Sequence, residues 1–245
     1  HPVEGEWINK PAAVRDLFAR AADAPTVGIT GTNGKSTVTT LLGLMAEKAG
    51  IRVRVGGNLG TPALDLLRSA APELYVLELS SFQLEATNSL RLRAAAVLNV
   101  TPDHMDRYTT IADYAAAKAR IFARCDTAVV NADDARVAQM PRSGQATLSF
   151  SLHAASRADF SLIGAGSDAM LARRGAPLIA QQDMRIAGSH NAANALAALA
   201  LGDAAGIAMP AMLAALRDFP GLPHRSQWVA DVAGVLRPGL QADGQ

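Results

Sequence analysis

The chain has 245 residues, enough to bury a substantial core as one large domain or two small ones. With 49% hydrophobic and 18% charged residues and a formal net charge of +1, it has the balance of an ordinary globular protein and gives no support to a nucleic-acid partner. Cys125 is the single cysteine, which excludes an internal disulfide and a paired-thiol metal site; no stretch approaches the roughly 18 apolar residues of a membrane span and no basic, then apolar, leader opens the chain, so the expectation is a cytoplasmic protein without membrane insertion. In chain order, residues 11 to 24 read as a helix, with Val14, Leu17 and Phe18 at helical spacing, ended by Pro25. A strand (26 to 30), a glycine loop (31 to 34), a helix (36 to 49) closed by Gly50 and a second strand (51 to 55) form a βαβ unit. Further strands are expected at 74 to 79, 94 to 100 and 127 to 131, with a helix at 111 to 123. The alternation predicts an α/β fold, a doubly wound and mostly parallel sheet with helices on both faces. Between about 146 and 186 the short runs split by Gly175 predict β-hairpins added at the sheet edge, followed by alanine-rich helices at 191 to 205 and 208 to 219.

The strongest chemical signal is Gly28-Ile29-Thr30-Gly31-Thr32-Asn33-Gly34-Lys35-Ser36-Thr37, set between a strand and a helix. Glycines allow a tight turn whose N–H groups face phosphate oxygens, and the helix N-terminus adds partial positive charge. Lys35 would bridge the β- and γ-phosphates and the Ser36 hydroxyl would ligate Mg²⁺. Ile29 stands where the common GxxxxGK[ST] pattern has glycine, so this is a shorter variant of the loop.

Ligands of an open parallel sheet gather at the carboxyl ends of its strands. Glu78 lies at one such end, as a candidate Mg²⁺ ligand or the partner of a nearby Lys or Arg. Asp103, His104 and Asp106 follow another, as oxygen and nitrogen donors for a hard metal or as an Asp-rich turn beside Pro102. Lys118, among alanines on a helix, reads by itself as a solvated face.

Three segments change that reading. Leu77-Glu78-Leu79-Ser80-Ser81-Phe82-Gln83-Leu84-Glu85, Asn99-Val100-Thr101-Pro102-Asp103-His104-Met105-Asp106-Arg107-Tyr108 and Ala117-Lys118-Ala119-Arg120-Ile121, together with the Gly31 to Thr37 loop, resemble the Mur ligase family, and within it the branch that adds D-glutamate; the resemblance runs from about Val27 to Arg225. It implies ATP and Mg²⁺, two ions, as cofactors, with UDP-N-acetylmuramoyl-L-alanine and D-glutamate as substrates joined through an acyl phosphate. It further implies that Gly31, Thr32, Asn33, Gly34, Lys35, Ser36 and Thr37 bind the nucleotide phosphates. Ser36, Glu78, His104 and Lys118, the last as a carbamate, would hold the metal, and Lys35, Glu78, His104 and Lys118 would carry the catalysis.

By the same resemblance Asn58, Ser80 and Ser81 are candidate contacts to the muramoyl substrate, Asn191 and Asn194 read adenine, and Arg225 reaches the nucleotide. Read without the family, His190, Asn191 and Asn194 are a helix cap, and His224 with Arg225 a surface loop. The implied organisation is a remnant or linker at 1–25, a central ATP-binding domain at 26–220, and a hinge with a truncated or altered start of a third domain at 221–245. Two other functions fit less of the wording: another amide ligase of the same superfamily, or a nucleotide-binding fragment without catalysis.

Overall fold

The computed structural model describes residues 12–58, 60–68, 70–222, 228–232 and 235–238. β1 (Thr26–Thr30), β3 (Leu74–Glu78) and most of β4 (Leu92–Val97) and β5 (Cys125–Asn131) are buried on both faces and mainly apolar, as expected of strands in the middle of a parallel sheet. Alternate residues feed two cores. Val27, Ile29, Val76, Ala94, Ala96 and Val129 face α2 (Lys35–Lys48), α6 (Ser189–Ala205) and α7 (Met209–Asp218). Tyr75, Leu77, Ala95, Val97, Ala128 and Val130 face the other way. There they meet α1 (Ala12–Ala21), α3 (Ser81–Glu85), α4 (Ile111–Ala119) and α5 (Ala135–Ala138). This period of two with helices on both faces is the doubly wound architecture expected.

With β2 (Val53–Gly57), β6 (Ala146–Ser151), β7 (Phe160–Ile163), β8 (Met170–Arg173) and β9 (Ala176–Ala180), the described residues form one nine-stranded sheet in the order β2-β3-β1-β4-β5-β6-β7-β8-β9. The chain runs from β1 outward on one side and returns on the other, so the loop after β1 opens at the switch point of the sheet.

The edge differs in part from the hairpins expected there. β6 and β7 continue the parallel sheet, and only β7–β8 and β8–β9 are antiparallel. The link between β6 and β7 has only a single 3-10 turn at 154–156, far shorter than a helical crossover, which is why the segment reads like hairpin sequence. The β8–β9 turn is a true hairpin turn, with Arg174 (φ 48°) and Gly175 (φ 81°) both left-handed.

α6 is alanine-rich and buried along most of its length, between the sheet, α2 and α7, where small side chains let backbones approach. The helix expected at 111 to 123 stops at Ala119 and tightens to a 3-10 turn over Arg120–Phe122. Cys125 is buried, and burial pushes its thiol up to about 12, in keeping with a small apolar residue. Beyond Leu222, β10 (Trp228–Val232) and β11 (Val235–Pro238) pair antiparallel. Among the described residues no helix is long and apolar enough to cross a membrane.

Candidate active site

The glycine loop turns through Gly31 (φ 155°) and Gly34 (φ 83°) into α2. Gly34 is fixed by space as well as by conformation, since a Cβ there would lie 2.3 Å from Asn194 Oδ1. Val38 N donates the first intrahelical bond, to Gly34 O at 3.0 Å, and Gly34 has no side chain to cap the N–H groups of the first turn, which open toward the strand ends. Lys35 folds back over the loop, its Nζ donating to the carbonyls of Gly31 (3.0 Å) and Thr32 (2.9 Å). Thr37 continues that first turn.

Glu78 is 2% exposed. It is held by neutral donors: Ser36 Oγ donates to Oε2 and Asn58 Nδ2 to Oε1, both at 2.9 Å, while Asn58 N donates to the Glu78 carbonyl at 2.8 Å. A hydroxyl and an amide thus meet the carboxylate that the sequence left to a metal or to a Lys or Arg partner. With the Ser36 hydroxyl, the Glu78 carboxylate offers the hard oxygen donors that suit Mg²⁺.

Lys118 is 1% exposed, which corrects the reading of a solvated helix face. The register of α4 turns it inward: Nζ donates to Gly31 O at 2.9 Å and lies 4.3 Å from the centre of the Tyr114 ring. Burial first, and the charge of Lys35 second, bring its pKa down from 10.5 to about 7, against an opposing pull from Asp103. Much of this amine is therefore neutral near neutral pH, as reaction with CO₂ requires.

Asp103, His104 and Asp106 do not form a three-ligand set; only the first two pair. All three are exposed, and among the described residues no three His, Cys, Asp or Glu side chains form a ligand set. The reason is a turn: the His104 carbonyl accepts from Arg107 N and Tyr108 N and Asp103 Oδ1 accepts from His104 N, so that Asp103 Oδ2 lies 3.6 Å from His104 Nε2 but no third ligand joins the pair among the described residues. His104 itself sits in a left-handed conformation (φ 54°), with its ring 5.0 Å from that of Phe82 and 6.1 Å from that of Tyr114. Such a backbone is uncommon for a residue with a side chain and persists only where the surroundings fix it.

Ser80 and Ser81 are engaged within the protein. Ser80 caps α3, accepting from Gln83 N at 3.2 Å while Gln83 Oε1 accepts from Ser80 N at 2.9 Å, and Ser81 is buried. Asn191 is buried at the start of α6, its Nδ2 donating to Ala187 O at 2.7 Å, and Asn194, one turn on, abuts the phosphate loop. Arg225 and His224 lie outside the described residues.

Sequence reasoning missed Asn99. Its side chain and carbonyl bind Thr32 and Asn33, and the only sequence signal was an amide just past a buried strand. It also missed the bond from Asn58 to Glu78.

The loop, its strand and the helix behind it define a P-loop protein built on an open α/β sheet. A family model described as the Mur ligase middle domain matches residues 29–202. The UDP-N-acetylmuramoylalanine–D-glutamate ligase of Methylococcus capsulatus is 55% identical over 220 residues, covering 90% of this chain and 48% of that protein. The enzyme of that name from Nitrosococcus oceani is 52% identical, covering 90% and 49%. Among solved structures, a UDP-N-acetylmuramoyl-L-alanyl-D-glutamate–2,6-diaminopimelate ligase superposes with a TM-score of 0.74 at 27% identity, over 89% of this chain and 53% of that one. The UDP-N-acetylmuramate–alanine ligase of Thermotoga maritima shares the fold, with a TM-score of 0.67 at 22% identity over 90% and 50%. The chain belongs to the Mur ligase family. It spans about half the length of the curated relatives it matches.

Proposed function

We propose that this chain supplies the ATP site of a ligase that joins D-glutamate to UDP-N-acetylmuramoyl-L-alanine. The observation that carries the reading is the meeting of buried Glu78 and buried Lys118 on the P-loop, one through Ser36 and the other through the Gly31 carbonyl. The first-turn N–H groups of α2 and the loop residues Gly31 to Thr37 receive the triphosphate, and Lys35 swings from the loop carbonyls onto the phosphate oxygens. Asn191 and Asn194, one turn apart at the start of α6, read adenine, and Arg225 meets the nucleotide from the hinge.

Magnesium, two ions on this reading, neutralises phosphate charge and aligns the transfer when bound; Ser36, Glu78, His104 and Lys118 are the residues that would hold it. The neutral Lys118 amine adds to CO₂ through a new N–C bond with loss of a proton, and the carbamate turns a cation into an oxygen donor. The substrate carboxylate attacks the γ-phosphorus to give an acyl phosphate and ADP. The D-glutamate amine then attacks the acyl carbon and phosphate leaves. Lys35 stabilises the charge that develops during transfer, while Asn58, Ser80 and Ser81 border the muramoyl end.

On this reading the 245-residue chain binds Mg·ATP by itself. Calorimetric titration of Mg·ATP into the purified chain and into Lys35→Ala tests this. Saturable binding that disappears in the variant supports the assignment, whereas equal binding by both, or none by the wild type, refutes it for this polypeptide.

A further inference from the structure

Two loops meet at the switch point, the phosphate loop after β1 and the loop after β4 that leads to His104, and one side chain ties them together. Asn99 Oδ1 accepts from Thr32 N at 3.1 Å and from Asn33 N at 2.8 Å, while Asn99 Nδ2 donates to Asn33 O at 3.1 Å. The Asn99 carbonyl accepts a second, shared bond from Thr32 N at 3.0 Å. Two N–H groups on one end of the amide and a carbonyl on the other fix its orientation without ambiguity. Beside it, Thr32 Oγ1 donates to Thr101 O at 3.2 Å and accepts from Thr101 N at 3.1 Å, so the loops are stitched over consecutive residues. The clip is anchored from behind, where Leu98 N donates to Thr30 O and Asn131 Nδ2 to Leu98 O, both at 2.9 Å.

From this geometry we propose that Asn99 is a positioning residue for the phosphate loop, and that it makes the phosphate loop and the His104 loop one rigid unit. The inference rests on the nucleotide reading above. Its logic is steric and chemical. The loop spends the N–H groups of Thr32 and Asn33 on Asn99, and that fixed attachment aims the following N–H groups, at residues 34 to 37, toward the anion.

Among side chains of this length only asparagine can accept from two N–H groups and also donate to a carbonyl. Aspartate keeps the two acceptances, loses the donation to Asn33 O, and brings a negative charge close to where phosphate would lie. Alanine loses every side-chain bond and leaves the loop to find its conformation at the moment of binding, a penalty that falls on affinity.

The test uses the whole chain with Asn99→Ala and Asn99→Asp, and reads two quantities. The first is amide hydrogen exchange at Thr32 and Asn33, which needs no nucleotide. Asn99→Ala should exchange faster, above all at Asn33, because Thr32 N also has the residue-99 backbone carbonyl. Asn99→Asp, which keeps the two acceptances, should hold its protection there, and the β-sheet core should keep its protection in both. The second is affinity for Mg·ATP against affinity for adenosine. Asn99→Ala should bind ATP about 10- to 100-fold more weakly with adenosine changed less than about twofold, and Asn99→Asp should lose more ATP affinity than Asn99→Ala.

A wild-type exchange rate at Asn33 in Asn99→Ala, undiminished ATP affinity, or an equal loss for ATP and adenosine would each overturn the proposal. Failure of the wild type to bind ATP would instead strike the nucleotide reading itself, and with it the role given to Asn99. If Asn99→Ala does not fold, Asn99→Asp, which keeps the two acceptances, decides on the affinity readout: a loss for ATP with adenosine unchanged supports the proposal, and undiminished ATP affinity or an equal loss overturns it.

Discussion

Lys118 combines complete burial, a hydrogen bond to the phosphate loop and a pKa brought down to about 7 by burial and by Lys35. Its ordinary value is 10.5, so between those two pH values the unfolded chain carries a proton that the folded chain does not. Stability should therefore rise with pH from about 7 to about 10.5, while below about 7 the penalty of burying the ammonium is felt in full. In CO₂-free buffer, guanidinium midpoints measured at about pH 6.5 and about pH 9.5 should show this rise for the wild type and lose it in Lys118→Met. Equal slopes in the two proteins would mean that the amine is solvated. None of this was legible from Lys118 alone, because a lysine among alanines on a helix reads as surface; only the family wording around it pointed inward. Glu78 was more legible, since a carboxylate ending a buried apolar strand calls for a partner. The sequence did not say that the partners would be Ser36 and Asn58.

At the scale of elements, the short pieces are where sequence periodicity fails. α3, the 3-10 turn at Ala63–Arg68 and α5 span 5, 6 and 4 residues, too few for a period of 3.6 to register. α3 forms because its first turn is closed reciprocally by Ser80 and Gln83. Ser80→Ala should accordingly lower stability by about 1 kcal/mol in chemical denaturation. A variant as stable as the wild type would show that tertiary contacts alone hold the element.

β2 ends under a stricter constraint. Gly57 has φ 108°, and a Cβ there would lie 2.3 Å from the Glu78 carbonyl oxygen, a backbone atom that cannot step aside. Gly57→Ala should destabilise the chain by about 1–3 kcal/mol and shift the amide resonance of Glu78. Unchanged stability and an unmoved resonance would mean that β2 can slide. The long elements were legible because their signals agree: β1, the glycine loop and α2 follow one another with apolar residues, glycine and a helical period in the right order.

For the whole molecule, the two cores share one sheet, so neither can be lost without exposing strands that the other packs on. Leu42 on one face and Phe122 on the other are both fully buried. Leu42→Ala and Phe122→Ala should each destabilise by about 2–5 kcal/mol and shift one common unfolding transition. Two separated transitions in either variant would divide the molecule at the sheet. By itself, the sequence determined the α/β class, the parallel centre of the sheet, the phosphate loop and the family, because each depends on local order: apolar runs of strand length, glycines before a helix, and wording carried in contiguous segments.

Tertiary structure decided what depends on distance through space. It turned Lys118 inward onto Gly31, paired His104 with Asp103 without a third ligand among the described residues, and kept β6 and β7 parallel where hairpins were expected. It also set Asn99 against a loop 66 residues away. The physical reason is common to all four. A side chain's direction and partner follow from the sheet order and the register of packed elements, and neither is written in the residues that flank it.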